Sequence, residues 1–331
     1  MQLTQKISRR GDLLTAAAVA MLLAVMAALL YTGCLTRQVT NMLIPTAVYI
    51  VMAVSLNLVV GLLGELSLGH AGFMSVGLFS GCLVAIALTN TALPLMVRLP
   101  VSMLAGGLTA AVFGLLVGLP TLRLRGDYLA IVTLACGEII KNIITNLRVT
   151  GGALGLNTSA IYAGAKELLP YGAALVLLTV AVMLNLKRSK YGRAIMAIRD
   201  NRIAAESVGL SVTRYKLAVF VIAAFFAGCA GVLYGHSLAN IKAAAFDYNM
   251  SIEILVIVVL GGMGSVPGSV VSAIVLTVLP EALREVADYR MLVYAVVLIL
   301  VMQATNNPAM KRFFGAACKS LTPKRKERAA L

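Results

Sequence analysis

The sequence predicts an all-α fold: a polytopic helical membrane protein with about 8–10 transmembrane helices. Three observations carry that prediction. Sixty per cent of the 331 residues are hydrophobic, only 12% are charged, and the mean hydropathy is +0.94, which is more apolar surface than a soluble domain of this length can bury. The apolar residues fall into runs near the length a helix needs to cross a bilayer. The lysines and arginines, which give a net charge of +15, gather in short loops flanking those runs. That placement argues against nucleic acid as the partner of the positive charge. The runs do not alternate in polarity over about ten residues, as the strands of an outer-membrane barrel would.

Taken in order, hydrophobic segments are expected near residues 13–31, 41–61, 68–89, 100–120, 128–146, 168–186, 217–235, 251–263, 268–281 and 290–304. The first follows Lys6, Arg9 and Arg10 and has the outline of a signal peptide. It is longer than a usual signal core, and Tyr31 precedes Thr32-Gly33-Cys34 where a lipoprotein cleavage site would carry leucine, so an uncleaved first span is expected. The eighth and ninth segments are short and joined by Gly261-Gly262-Met263-Gly264-Ser265-Val266-Pro267-Gly268. They read either as two half-helices or as a kinked hairpin, and eight spans with re-entrant segments is the alternative to ten. With the N-terminus inside, the cytoplasmic segments hold twenty Lys and Arg residues against seven outside, which favours this orientation. It places both termini and the loop 187–216 in the cytoplasm. No segment is long enough for a separate soluble domain, so residues 1–331 read as a single transmembrane domain with a cytoplasmic loop at 187–216 and a basic cytoplasmic tail at 311–331 that touches anionic lipid. Cys34, Cys82, Cys136, Cys229 and Cys318 are dispersed, without metal-ligand spacing, and do not read as a disulfide framework.

Glycines recur at helical spacing, as at Gly77/Gly81, Gly114/Gly118, Gly228/Gly231/Gly235 and Gly264/Gly268. Small residues at that spacing let helix backbones approach closely in lipid. Where glycine is densest, at 61–77 and 261–268, a second reading is open: helices broken where they line a path. Glu65, Ser67 and His70 cluster in Gly64-Glu65-Leu66-Ser67-Leu68-Gly69-His70-Ala71-Gly72, which is either an interfacial turn in water or such a break. Glu138, Lys141, Asn142 and Thr145 share one helical face, with Glu138 and Lys141 spaced to pair across a turn. That stripe reads as a structural polar contact. Glu253, near the start of the eighth segment, is expected at the interface.

The segment from Leu186 to Lys216 is the most distinctive. Lys187, Arg188, Lys190, Arg193, Arg199, Arg202, Arg214 and Lys216 face only Asp200 and Glu206. Asp200 is positioned to cap a short helix and Gly209 to end it. Ala204 and Val208 share a face, and the small pair Ala204-Ala205 allows close approach by another protein. A basic helix lying on anionic lipid fits the same residues.

Gly192-Arg193-Ala194 through Gly209, followed by Thr213-Arg214-Tyr215-Lys216-Leu217, resembles the coupling segment of ATP-binding-cassette (ABC) importer permeases, most of all the M-type permease of branched-chain amino-acid transporters. Ser67-Leu68-Gly69-His70-Ala71 is similar to an early motif of that family. Leu122-Arg123-Leu124-Arg125-Gly126-Asp127-Tyr128 through Leu134, with Gly137-Glu138-Ile139-Ile140, is similar to a second. Thr150-Gly151-Gly152-Ala153-Leu154-Gly155-Leu156 resembles its external glycine turn. Ser251-Ile252-Glu253-Ile254-Leu255 and Val259-Leu260-Gly261-Gly262-Met263-Gly264-Ser265 resemble its late motif. The resemblance covers residues 45–285. Two positions depart from it: Glu65 stands where the family often has an amide, and Arg202 where an acid is common.

The resemblance implies that Gly192, Arg193, Arg199, Asp200, Ala204, Ala205, Glu206 and Gly209 couple to an ATPase, and that Asn57, Glu65, Ser67, Gly69 and His70 belong to the translocation path. It implies a homologous second permease chain, two cytoplasmic ABC ATPase subunits, a periplasmic substrate-binding protein, membrane lipid, and a bacterial inner-membrane location. The chain has no Gly-Lys dipeptide and so no P-loop, which leaves ATP and Mg to the partner ATPase chains. No catalytic, cofactor-binding or metal-binding residue is expected, because His70 and His236 lie far apart and Asp127 sits in a basic turn. An apolar path suits leucine, isoleucine or valine, and equally urea or a short amide. An ion-coupled secondary transporter is the alternative of another class, with only Glu65, Glu138 and Glu253 as candidate ion ligands.

Overall fold

Among the described residues, seven helices are long and apolar enough to cross a membrane, and each falls on an expected segment. The structure, a computed structural model, describes residues 37–89, 94–124 and 126–282, with single positions between 17 and 30 and at 296 and 299. The expected segments 13–31 and 290–304, the N-terminal basic cluster and the tail 311–331 lie outside the described residues, apart from those single positions. The chain divides into two units, Met1–Val278 and Leu279–Leu331. The helices belong to the first unit, apart from the end of the last one.

Helix α1 (Arg37–Asn57) continues as a π-helical stretch, Leu58–Leu63, and stops at Gly64. After an extended segment come α2 (His70–Thr89), α3 (Leu95–Thr121), α4 (Asp127–Asn146) and α5 (Ala165–Arg188). Two short helices, α6 (Lys190–Asp200) and α7 (Arg202–Ser207), interrupt the series. Then follow α8 (Val212–His236), α9 (Tyr248–Gly261) and α10 (Val266–Ala282). The 25 residues of α8, at about 1.5 Å each, suffice to span a bilayer.

The tightest packing joins α2, α3 and α8, and glycine is the reason. A Cβ on Gly77 would lie 2.2 Å from Gly228 Cα, and one on Gly106 would lie 2.4 Å from the Gly77 carbonyl oxygen. Only bare backbone fits there, which is the close approach expected of small residues in lipid. Phe73 stacks edge-on against Phe220 with centroids 5.3 Å apart and fills the layer below. The outer face of α3 instead leaves Leu104, Leu108, Val112 and Leu116 exposed, as a lipid-facing surface requires.

The loops segregate to two ends. At one end β1 (Leu156–Asn157) pairs antiparallel with β2 (Asn240–Ile241), and the Thr158 and Ala163 amides donate to the Ala239 and His236 carbonyls, both at 3.0 Å. At the other end the turns near 64–66, 126–127 and 262–265 meet the central segment 187–216. Among the described residues these connections therefore alternate between two ends, as successive spans require.

Candidate functional site

The cluster around Glu65 is a break inside the bundle. Contacts with three helices fix its depth. His70 shares a hydrogen bond with Ser55, eight residues before the end of the π-helical stretch, at 2.8 Å. Gly69 abuts the Thr133 backbone, six residues into α4. Phe73 meets Phe220, eight residues into α8. By helical rise each places the start of α2 about 10 Å inside the bundle. The chain thus leaves α1 at Leu63, turns back, and climbs through Gly64–Gly69 before helix resumes. The reading of the whole stretch as a turn in water does not hold for Ser67, Gly69 and His70, which are buried, whereas Gly64 and Leu66 are exposed and Glu65 is partly buried. The Leu68 amide donates to Thr133 Oγ1 at 3.0 Å, and the Ala71 amide to Ser251 Oγ at 3.2 Å. Such backbone is tolerated at this depth because protein covers it.

Asn57 marks where α1 loosens into π-helix. Its side chain is fully buried: Nδ2 donates to the Ser265 carbonyl at 3.1 Å and to Ser269 Oγ at 2.9 Å, while Oδ1 accepts from the Gly264 amide at 2.8 Å. Asn57 is therefore a latch from α1 to the turn joining α9 and α10. Gly61 makes the latch possible, because a Cβ there would lie 2.0 Å from Asn57 Oδ1 and 2.2 Å from the Gly264 nitrogen. Sequence reasoning placed Asn57 and 261–268 in separate features, and the structure brings them together.

The central segment folds as two capped helices. Ser189 caps α6, its Oγ accepting from the Gly192 amide at 3.0 Å, and Gly192 tucks beneath the Leu186 carbonyl where no side chain fits. The cap of α7 is Asn201, whose Oδ1 accepts from the Ala204 amide at 3.1 Å. Asp200, expected in that role, is instead the last residue of α6 and pairs with Arg199 at 3.0 Å. Gly209 ends α7 as expected. It adopts φ +83°, its amide donates to the Glu206 carbonyl, and the Leu210 amide donates to Ala205, the paired bonds of a glycine-terminated helix.

Ala205 turns inward and packs with Ile198 and Val212, so it anchors α7 to α6 and α8 instead of facing outward. Only Ala204 of the pair is presented, beside Ile203 and Val208, which are 80% and 75% exposed. Arg202 and Glu206 pair along the exposed side at 2.9 Å, and Arg193 reaches back to the Arg188 carbonyl at 3.3 Å. Nothing packs on the apolar face of α7 among the described residues.

Two cations of the central segment reach the break and a third reaches the α9–α10 turn. Arg199 Nη1 donates to the Gly61 carbonyl at 3.1 Å, and its stem lies against Gly64. Lys187 Nζ donates to the Gly264 carbonyl at 2.9 Å. Lys216 forms a buried ion pair with Glu65 Oε1. The Gly61 carbonyl where α1 ends and the Gly264 carbonyl of the α9–α10 turn are thus capped by positive charge, which the local dipoles favour. Between break and central segment lies a cavity of about 670 Å³ bordered by Glu65, Leu66, Asp127, Ile198, Arg199 and Arg202. The inward use of Lys187 and Lys216 was not anticipated. The signal available in the sequence was Glu65 itself, an acid in an apolar setting that needs a cationic partner.

One pair of the polar stripe on α4 takes up the expected contact across a turn. Glu138 pairs with Lys141, and its Oε1 accepts from the Tyr248 amide, the first residue of α9, at 2.9 Å. Glu253 is partly buried and accepts from the Tyr49 hydroxyl at 3.3 Å. Among the described residues no group of three or more His, Cys, Asp or Glu side chains is placed to hold a metal ion.

The family model described as branched-chain amino acid transport system / permease component matches residues 38–302. The high-affinity branched-chain amino acid transport system permease protein LivM of Escherichia coli is 37% identical over 290 residues, and that of Salmonella typhimurium 36% over 296; each alignment covers 78% of this chain and 66% of the relative. The chain thus spans slightly under two thirds of the length of these relatives. The ribose import permease protein RbsC of Haemophilus influenzae is 25% identical over 288 residues, covering 83% of this chain and 87% of that protein. No solved structure gives a significant match.

Proposed function

The chain belongs to the branched-chain amino acid transport system permease family, and from that premise we propose that it is the membrane-spanning permease of an ATP-driven ABC importer for leucine, isoleucine or valine. In this reading it forms half of the path, a homologous permease forms the other half, and a binding protein delivers substrate from outside. Two ATPase subunits that bind ATP and Mg grip the central segment from the cytoplasm, and both termini of this chain lie on that side of a bacterial inner membrane. The chain itself performs no chemistry. One observation carries the reading: three cations of the central segment bond the irregular parts of the bundle, Arg199 to the Gly61 carbonyl where α1 ends, Lys216 to the Glu65 carboxylate in the break, and Lys187 to the Gly264 carbonyl in the α9–α10 turn.

The mechanism follows from those bonds. The exposed face of Ile203, Ala204 and Val208 sits in a groove on the ATPase. Movement of α7 passes to α6 and α8 through Ala205, Ile198 and Val212, which pack as one cluster. From α6 it passes to Gly61 through Arg199, and from α8 to Glu65 through Lys216. The segment Gly64–Gly69 then shifts relative to α4, which opens or closes the way past α2. The carriage of an aliphatic amino acid fits the substrate class in the names of the LivM relatives.

The test is reconstitution. The permease pair, its ATPases and a binding protein in proteoliposomes should accumulate radiolabelled leucine only with lumenal-side or bath ATP on the ATPase face. Uptake that follows a proton or sodium gradient without ATP, or that carries urea in place of leucine, would overturn the assignment.

A further inference from the structure

Of the seven membrane-length helices among the described residues, α4 is the least covered by the rest of the chain. Its exposed side chains include Tyr128, Ile131, Ala135, Ile139, Asn142 and Asn146, which recur every three or four residues. That spacing makes one stripe along the helix, the kind of seam by which one helix meets another. The stripe differs in kind from the outer face of α3, where every exposed side chain between Val101 and Leu119 is apolar and hydrocarbon can cover it. On α4 the exposed Asn142 lies in the stripe, and the Glu138–Lys141 pair flanks it with 27% and 19% of the two side chains still exposed. By helical rise these three residues lie about 6–12 Å inside the end of α4 at Asn146. Polar and charged groups at that depth are costly against lipid and are placed against protein or water. Water would suit Asn142 but not Ile131 and Ile139, which are 62% and 58% exposed, whereas a protein surface suits both.

We propose that this stripe of α4 is the surface that meets the second permease chain, helix against helix. The stripe runs from Tyr128 to Asn146, the length of a bilayer-spanning helix, so whatever covers it also spans the membrane. ATPases and a binding protein work outside the bilayer and cannot supply that cover. The small Ala135 lets a facing backbone approach at the middle of the stripe, and the Asn142 amide, which both donates and accepts, can bond to a polar side chain across the contact. The proposal rests on the importer reading for the identity of the partner. The opposite face of α4 holds the break, through Thr133 Oγ1 on the Leu68 amide and the Thr133 backbone against Gly69. The second permease is therefore one helix away from the break of this chain.

The experiment uses the full chain in its complex with the second permease and the ATPases, in lipid nanodiscs. Photoreactive p-benzoylphenylalanine replaces Ile139 on the stripe or, in a separate preparation, Leu108 on the outer face of α3. After irradiation, mass spectrometry identifies what each has joined. The expected adduct is with the second permease at Ile139 and with lipid acyl chains at Leu108. An Ile139 adduct with lipid, with an ATPase or with another copy of this chain overturns the proposal. So does the absence of any Ile139 adduct, or an equal yield of permease adduct at Leu108. Ala135→Trp, which fills the middle of the stripe, should reduce the second permease co-purified with this chain at least about tenfold, while Leu108→Trp should leave it unchanged. Retention at the unaltered level in Ala135→Trp also overturns the interface. Should Ala135→Trp fail to fold, the adducts at Ile139 and Leu108 still decide the question. ATP-driven leucine uptake by the unaltered complex with binding protein added reports on the importer reading separately, and uptake without an Ile139 adduct sinks the interface alone.

Discussion

Replacing Arg199 with alanine tests the route by which the central segment commands the break. The guanidinium makes two kinds of contact. Its bonds to Asp200 are exposed and contribute about 0–1 kcal/mol. Its bond to the Gly61 carbonyl at 3.1 Å is partly buried and satisfies an acceptor that the ending π-helical stretch leaves open. A hydrogen bond from a charged donor contributes about 1.5–3 kcal/mol, and because 39% of the Arg199 side chain remains exposed, about 1–2 kcal/mol is the appropriate figure. If that bond exists only in one of the two states the ATPase selects between, its loss weakens coupling by the same amount, or roughly five- to thirtyfold. The assay is leucine taken up per ATP hydrolysed in proteoliposomes. Arg199→Ala should lower that ratio while ATP hydrolysis continues. Arg199→Lys should fall between, since lysine keeps the charge and loses the fork of donors. A ratio unchanged in Arg199→Ala would refute transmission through Gly61.

Three further outcomes follow from the packing. Asn57→Leu strands the buried Gly264 amide and Ser265 carbonyl, at about 1–3 kcal/mol each, and should lower the unfolding midpoint by roughly 10 °C in an assay in which a thiol-reactive dye reports exposure of the buried Cys82 and Cys229. Gly77→Ala should cost at the upper end of about 1–3 kcal/mol, because the new methyl meets the Gly228 backbone at 2.2 Å, whereas Gly164→Ala, with nothing within 4 Å, should leave the midpoint unmoved. The pair Ile203→Asp and Val208→Asp alters two exposed side chains and should leave that midpoint unchanged while reducing co-purification of the ATPase at least tenfold. ATPase retained at the unaltered level would remove α7 from the docking face.

The helices were legible because their signal is local. A run such as 217–235 reports its own hydrophobicity, and α8 adds only the turn before it and the residue after. Gly209 was legible for a similar reason, since the geometry that ends a helix in a left-handed residue is written within four residues. The cap of α7 was misplaced by a single residue, from Asn201 to Asp200, because both side chains accept equally well and only the backbone angle between α6 and α7 decides between them. Ala204 and Ala205 were indistinguishable in sequence. Which one faces out depends on how α7 rolls against Ile198 and Val212, more than five residues away on either side. The latch from Asn57 to Gly264 and Ser265 was beyond reach, since partners 207 and 208 residues apart carry no periodic signal.

The basic character of residues 187–216 illustrates how one composition can answer two physical demands. As a count, it satisfies the bias that holds a loop on one side of a membrane. The structure adds that three of those charges are turned onto the protein, Lys216 buried and Lys187 and Arg199 partly exposed. Lys187 and Arg199 close the carbonyls left open where α9 gives way to its glycine turn and where α1 gives way to the break, and Lys216 neutralises Glu65. Irregular backbone inside a bilayer needs donors from somewhere, and hydrocarbon supplies none. In this chain the donors come from the segment that also leaves Ile203, Ala204 and Val208 exposed. A break stabilised in this way cannot change conformation without disturbing the central segment, nor can the segment be pulled without uncapping the break. The coupling between the two therefore needs no long chain of intermediaries; it is the consequence of where the missing hydrogen bonds are supplied.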